Sequence, residues 1–173
     1  MNNQESVIRH NRIFFLFVLL LLLSSGGNTW AKQVVGWVEN VKVYPGGVTV
    51  KAKVDSGAKT SSLDCECITP FKRDGKDWLS FSVKNHKGDI VRLEKPVTRV
   101  ARIKRHFGKE QKRYVVKLGI CLGSIYREAE VTLVDRTGFN YSMLVGRNFL
   151  KEDFLIDPAV TFRNKPDCKG APD

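Results

Sequence analysis

Hydrophobic and polar residues alternate along two early stretches of the chain. Val35-Gly36-Trp37-Val38-Glu39-Asn40-Val41-Lys42-Val43-Tyr44 and Val48-Thr49-Val50-Lys51-Ala52-Lys53-Val54 flank the turn signal Pro45-Gly46-Gly47. A period of two sends successive side chains to opposite faces, so the pattern predicts two half-buried strands joined by a turn. Ser62–Ile68 reads as another strand, with Leu63, Cys65 and Cys67 on one face. Pro70–Asp77 reads as a polar turn, and short strands over Trp78–Val83 and Ile90–Leu93 flank Asn85-His86-Lys87-Gly88-Asp89. Val97–His106 and Gln111–Leu118 predict a long hairpin with its tip at Phe107-Gly108-Lys109-Glu110. Lys117–Cys121 and Glu128–Asp135 predict a second hairpin around Leu122-Gly123-Ser124. The expected fold is all-β, with one short helix starting near Gly146-Arg147-Asn148.

The first residues break this texture. After Arg9, His10 and Arg12 comes an unbroken apolar run of eleven residues, Ile13 to Leu23, then Ser24-Ser25-Gly26-Gly27-Asn28 and Thr29-Trp30-Ala31. This is the layout of a secretory signal peptide cleaved after about Ala31. An uncleaved anchor is the competing reading, although a bilayer span needs about 20 apolar residues. The expected division is therefore leader or anchor over 1–31, one domain over 32–165, and a polar tail over 166–173 that is poorly ordered apart from Cys168. An exported chain would face the periplasm, and a retained leader would associate it with the inner membrane through residues 13–23.

Composition narrows the function classes. Hydrophobic residues make up 42%, enough for a core, so disorder is not the expectation. The net charge of +11 suits anionic partners or simple solubility. Seven Lys/Arg stand against one Glu between Arg99 and Arg113. That hairpin reads equally as a basic surface for acidic substrate or as a solvated edge protected from aggregation. Nucleic-acid binding is not expected, because no recognition motif or aromatic interleaving accompanies the charge.

The chemistry centres on Lys53-Val54-Asp55-Ser56-Gly57-Ala58-Lys59-Thr60-Ser61. A strand ends on Val54, and Gly57 frees the backbone to turn, offering Asp55 at the mouth of that turn. Ser56 Oγ and nearby N–H groups are candidate donors to its carboxylate. Later, Tyr141-Ser142-Met143-Leu144-Val145-Gly146-Arg147-Asn148-Phe149-Leu150 runs apolar residues into a glycine. Together the two stretches resemble one lobe of an aspartic peptidase, in which an Asp-Thr/Ser-Gly-Ala turn packs against an apolar-apolar-Gly segment. Gly146-Arg147-Asn148 is similar to the retropepsin version. The whole string resembles a bacterial retropepsin-like family often labelled ATP-dependent zinc protease. The resemblance runs from about Val34 to about Val160.

The resemblance implies a closed, barrel-like single lobe acting as a homodimer on a polypeptide. Asp-Ser-Gly occurs once in the chain, so the second carboxylate would be Asp55 of another copy. The catalytic set would be Asp55, Ser56 and Gly57. Ala58 and the flap residues Phe107 and Gly108 would meet substrate. Gly146, Arg147 and Asn148 would be structural, with Arg147 in a salt bridge near the dimer contact. Some relatives are linked to glutamate-adding ATP-grasp ligases, which implies an accessory role as an alternative. A catalytically silent module of the same fold, binding a peptide or partner, is a further one.

No metal or cofactor is expected despite the family label. There is no His-Glu-x-x-His, Cys65-Glu66-Cys67 leaves a single residue between thiols, and no Gly-x-x-x-x-Gly-Lys-Ser/Thr loop exists. Four cysteines permit disulfides in an exported chain. If bridges form, the expectation is that Cys121 and Cys168 each take one of Cys65 and Cys67. Buried free thiols are the alternative.

Overall fold

The computed structural model describes residues 31–85, 87–103 and 110–172. The predicted leader and the hairpin tip at Phe107-Gly108 lie outside the described residues. The two alternating stretches form β1 (Gln33–Tyr44) and β2 (Val48–Val54). β2 is the clearest case: Val48, Val50, Ala52 and Val54 are buried, and Lys51 and Lys53 face outward. The remaining elements in order are β3 (Ser61–Asp64), β4 (Glu66–Arg73), β5 (Lys76–Lys84), β6 (Ile90–Pro96) and β7 (Arg99–Ile103). They are followed by β8 (Gln111–Leu122), β9 (Ile125–Val134), β10 (Met143–Val145), the helix α1 (Arg147–Leu150) and β11 (Phe154–Thr161).

Six strands close into a barrel in the order β1-β2-β10-β3-β9-β8 and back to β1. β1 and β2 pair antiparallel, with Val41 opposite Val50. β10 joins β2 in parallel, with Leu144 opposite Lys53, and pairs antiparallel with β3 on its other side. β3 runs parallel to β9, and β9 antiparallel to β8. Val41 of β1 opposite Leu122 of β8 completes the ring. Closure removes open edges from the barrel strands, and their inward residues, among them Val50, Leu63, Ile120, Leu133 and Met143, fill the interior. β7 extends β8 as the first arm of the predicted long hairpin, and β11 adds to β1 in parallel.

The stretch between the Asp55 turn and that hairpin differs from the sequence reading. The single strand expected over Ser62–Ile68 breaks at Cys65, so Leu63, Cys65 and Cys67 do not share a face. Cys65 is buried, whereas Cys67 is exposed and takes a positive φ of 53° that redirects the chain. The turn expected over Pro70–Asp77 is confined to Asp74-Gly75, and the residues before it belong to β4. β4, β5 and β6 form a separate three-stranded sheet. Its inner face, Leu79, Phe81, Val83 and Leu93, is buried in the same hydrophobic cluster as the barrel interior.

The tail is anchored rather than loose. The buried Glu39 accepts backbone N–H bonds from Gly36 at 2.7 Å, Arg163 at 3.2 Å and Asn164 at 3.1 Å. A buried carboxylate is tolerated only with such partners. Asp167 N donates to Gly123 O, and Cys168 forms a disulfide with Cys121. This corrects the expected pairing: the tail folds back over the β8–β9 turn and brings Cys168 to Cys121, leaving Cys65 and Cys67 as free thiols.

Candidate active site

Asp55 follows directly on β2, and its backbone N–H donates to Val145 O at 2.9 Å. One carboxylate oxygen is held by its own turn. Oδ1 accepts the N–H groups of Gly57 at 2.9 Å and Ala58 at 3.3 Å. The other, Oδ2, has Lys53 Nζ at 3.8 Å. Lys53 reaches it because the two residues share a face of β2, two positions apart. Asp55 is about a quarter exposed and opens on a cavity of about 460 Å³. A carboxylate fixed through one oxygen, on a side chain that lines a cavity, suits proton transfer to and from a bound water.

The apolar-apolar-Gly segment locks this turn from behind. After β10, Gly146 sits so close to residues 58–60 that a Cβ there would lie 2.9 Å from the Thr60 carbonyl carbon. Arg147 N donates to Ala58 O and Asn148 N to Lys59 O. The Arg147 side chain reaches back, and Nη1 donates to Ser56 O at 2.7 Å and Gly57 O at 2.8 Å. Within the chain Arg147 therefore satisfies turn carbonyls, where the family resemblance had implied a salt bridge. The Asn148 side chain makes three bonds. Its Oδ1 accepts from Ser61 N at 3.1 Å and Ser61 Oγ at 3.0 Å, while Nδ2 donates to Glu130 O at 2.8 Å. Ser61 Oγ in turn accepts Gly146 N at 3.1 Å. The predicted Asp55, Gly57, Ala58, Gly146, Arg147 and Asn148 are thus brought together. Ser56 joins them through its carbonyl. Phe107 and Gly108 lie outside the described residues.

Several lining residues were not singled out from sequence. Trp37, Lys53, Arg136, Tyr141 and Leu144 share the Asp55 cavity. Trp37 and Tyr141 meet edge to face at 6.1 Å between centroids. Arg136 stacks on Phe139 at 4.6 Å and donates to Tyr141 O and Ser62 Oγ. Burial depresses its pKa, against the opposing pull of Asp64. Lys53 was detectable in principle from its shared parity with Asp55. Trp37 and Arg136 come from segments remote in sequence. A second cavity, of about 720 Å³, lies between Lys59 and Thr60 and the arm β7, with Arg99 and Arg102 on its wall. The hairpin thus flanks the segment that follows the Asp55 turn. Arg99 is tied down by Glu130 through Nε at 3.0 Å and Nη2 at 2.7 Å.

Among the described residues no group of three His, Cys, Asp or Glu is placed to hold a metal. The two free thiols diverge, Cys65 into the core and Cys67 to solvent. His10, His86 and His106 lie outside the described residues.

Comparison with known proteins agrees with this geometry. The family model described as "Retropepsin-like aspartic endopeptidase RimB" matches residues 34–167. A protein of Shewanella pealeana named "Probable alpha-L-glutamate ligase" is 41% identical over 116 residues, covering 65% of this chain and 25% of that protein. One of the same name from Desulfotalea psychrophila is 36% identical over 134 residues, covering 75% of this chain and 29% of that protein. The chain thus spans about a quarter of the length of these curated relatives. A crystal structure of a Legionella pneumophila protein of unknown function superposes with a TM-score of 0.65 at 33% identity, covering 76% of this chain and 98% of that one. With its closed barrel, its Asp-Ser-Gly turn and the Gly146 segment behind it, the chain belongs to the RimB-like family of retropepsin-like aspartic endopeptidases.

Proposed function

We propose that the chain is an aspartic endopeptidase whose catalytic pair consists of Asp55 from two copies related by a two-fold axis. The observation that carries this reading is the Asp55 turn, with Oδ1 held by Gly57 and Ala58 N–H groups and the carboxylate opening on a cavity. Two carboxylates facing one water cannot both ionise, so the pair shares a proton. The ionised member takes a proton from the water as its oxygen attacks the scissile carbonyl carbon. The protonated member gives its proton to the carbonyl oxygen, and a neutral tetrahedral diol forms. Collapse of the diol breaks the C–N bond, with one diol proton returning to a carboxylate and one carboxyl proton passing to the leaving nitrogen. The products are a carboxylic acid and an amine. Gly146, Arg147 and Asn148 act by holding the turn, and the basic hairpin flanks the substrate path.

The test is Asp55→Asn. It should abolish hydrolysis of a peptide library while leaving the circular dichroism spectrum and melting temperature near those of the parent. Activity should rise with dimer fraction when sedimentation and turnover are measured at the same concentrations. Full turnover by a monomer sinks the shared-dyad reading.

A second reading, an accessory role to a glutamate-adding ligase, is favoured by the relatives of that name, in which the matching region is part of a longer protein. On that reading the substrate is a glutamate-containing chain. Export belongs to the endopeptidase proposal and counts against the accessory reading; the Cys121–Cys168 disulfide supports it, because disulfides persist in oxidising compartments.

A further inference from the structure

The outward face of β2 carries Thr49, Lys51 and Lys53 in line with Asp55. Across the hairpin, Lys42 of β1 stands opposite Thr49 and Asn40 opposite Lys51. These four residues form one wall of a groove of about 600 Å³ whose other wall is Phe162 and Lys165 from the tail. Lys42, Lys51 and Lys165 take part in no ion pair among the described residues. Three uncompensated ammonium groups around one groove repel each other, and an anionic occupant relieves that repulsion.

Phe162 is held in that wall by its backbone. Phe162 is 46% exposed, and Lys51 Nζ lies 5.9 Å from its ring centroid. Its φ of 51° falls in the left-handed region, which a bulky residue rarely adopts. Neighbouring bonds impose that conformation. Phe162 N donates to Val38 O at 2.8 Å, and the next two N–H groups are taken by the buried Glu39. An aromatic ring is thereby fixed at the surface between lysines.

We propose that this groove docks an acidic segment of a polypeptide, and that the segment continues along β2 to the bond cut at Asp55. Lysine suits such a partner because its point charge on a flexible stem follows carboxylates on a mobile chain. The Phe162 ring offers apolar contact to the methylenes of a Glu side chain. Along β2, Lys51 and Asp55 are four residues apart, about 13 Å at the strand rise. An extended peptide covers that distance in about four residues. The groove would therefore read acidic residues about that far from the scissile bond. This register rests on the reading of Asp55 as catalytic, while docking itself does not. Single-stranded nucleic acid is less favoured, because binding it relies on several stacking rings and the groove presents one.

The experiment uses the full chain carrying Asp55→Asn, so that a probe survives, and reads fluorescence anisotropy at low salt. The probes are a labelled glutamate dipeptide, a labelled glutamate octapeptide, and an oligothymidylate of the octapeptide's charge. The octapeptide should bind more tightly than the dipeptide. Combined Lys42→Gln, Lys51→Gln and Lys165→Gln should weaken octapeptide binding about tenfold, leave the dipeptide unchanged, and be largely rescued by arginine at the three positions. Unchanged octapeptide binding overturns the proposal. Equally tight oligothymidylate binding with the same lysine dependence overturns the choice of a polypeptide. Hydrolysis by the chain with Asp55 intact separates the two readings. If nothing is cut but lysine-dependent binding persists, the groove stands and the catalytic reading fails. If the lysine variant cuts long acidic peptides with an unchanged KM, the groove fails and the catalytic reading stands.

Discussion

Asn148→Ala offers the sharpest test of how the Asp55 turn is held. Asn148 makes three side-chain bonds to two segments, and Ser61, which gives two of them, is fully buried. Truncation leaves Ser61 N–H and the Ser61 hydroxyl without their acceptor, and Glu130 O without its donor. An orphaned buried donor costs about 1–3 kcal/mol, and the hydroxyl can turn to recover part of the loss. A destabilisation of about 2–4 kcal/mol is expected, corresponding to a fall of roughly 6–16 °C in melting temperature for a domain of this size. Asn148→Asp separates the roles. It keeps both acceptor contacts but sets a carboxylate oxygen against Glu130 O. The protonated form of that carboxyl can donate to Glu130 O, so folding raises its pKa above the unfolded value of about 3.9. The deficit relative to the parent is therefore full above the folded-state pKa and shrinks as pH falls through it towards the unfolded value. Asn148→Ala shows no such recovery. The assay is urea unfolding followed by circular dichroism from pH 4 to pH 8. A loss below about 0.5 kcal/mol for Asn148→Ala, or a pH-independent deficit for Asn148→Asp, refutes the bonding scheme.

Gly146→Ala should destabilise by about 1–3 kcal/mol and depress peptide hydrolysis, because its Cβ would meet the backbone of Ala58 and Thr60, which cannot swing aside. Thiol titration without reductant should label Cys67 alone in the folded chain. Burial, aided by the charge of Asp64, pushes the Cys65 thiol pKa well up, so Cys65 should react only after unfolding and Cys121 and Cys168 only after reduction. Replacing Arg102, Lys104, Arg105, Lys109 and Lys112 by Gln should slow turnover of acidic peptides more than neutral ones. That difference should fade with added salt, and an equal loss on both would show that the hairpin charges do not read substrate.

β2 and the second half of β1 were legible because each buries one face, which leaves the period of two in the sequence; in the first half of β1 the neighbours Val38 and Glu39 are both buried, beside a register shift against β11, and the period fails. The Asp55 turn and the Gly146 segment were legible as motifs, since a tight turn and a close approach each demand particular small residues. Less local features left no such trace. Nothing in Cys65-Glu66-Cys67 announces that Cys67 takes a positive φ and splits a strand. The Cys121–Cys168 bridge depends on the tail returning to Gly123, a route fixed by the Glu39 clamp rather than by cysteine spacing. Trp37 and Arg136 reach the Asp55 cavity from opposite ends of the domain sequence, so only the closed barrel brings them together. Residues 66–96 fold as a sheet of their own, and Leu79, Phe81, Val83 and Leu93 supply its apolar inner face for the barrel core.

The position of β10 has a consequence for how the chain comes to life. This three-residue strand slots between β2 and β3, although Asn148 and its partner Ser61 are 87 residues apart. Contacts of such sequence separation form late, because the intervening chain must be ordered before they can stabilise anything. As the chain leaves the ribosome, Asp55 emerges early but its N–H waits for Val145 O, and Ala58 O waits for Arg147 N. A fragment ending before residue 141 carries the whole Asp-Ser-Gly motif and none of the scaffold behind it. The chemistry proposed for Asp55 is in this way tied to synthesis of the Gly146 segment, so that chains cut short before it lack the support behind the turn.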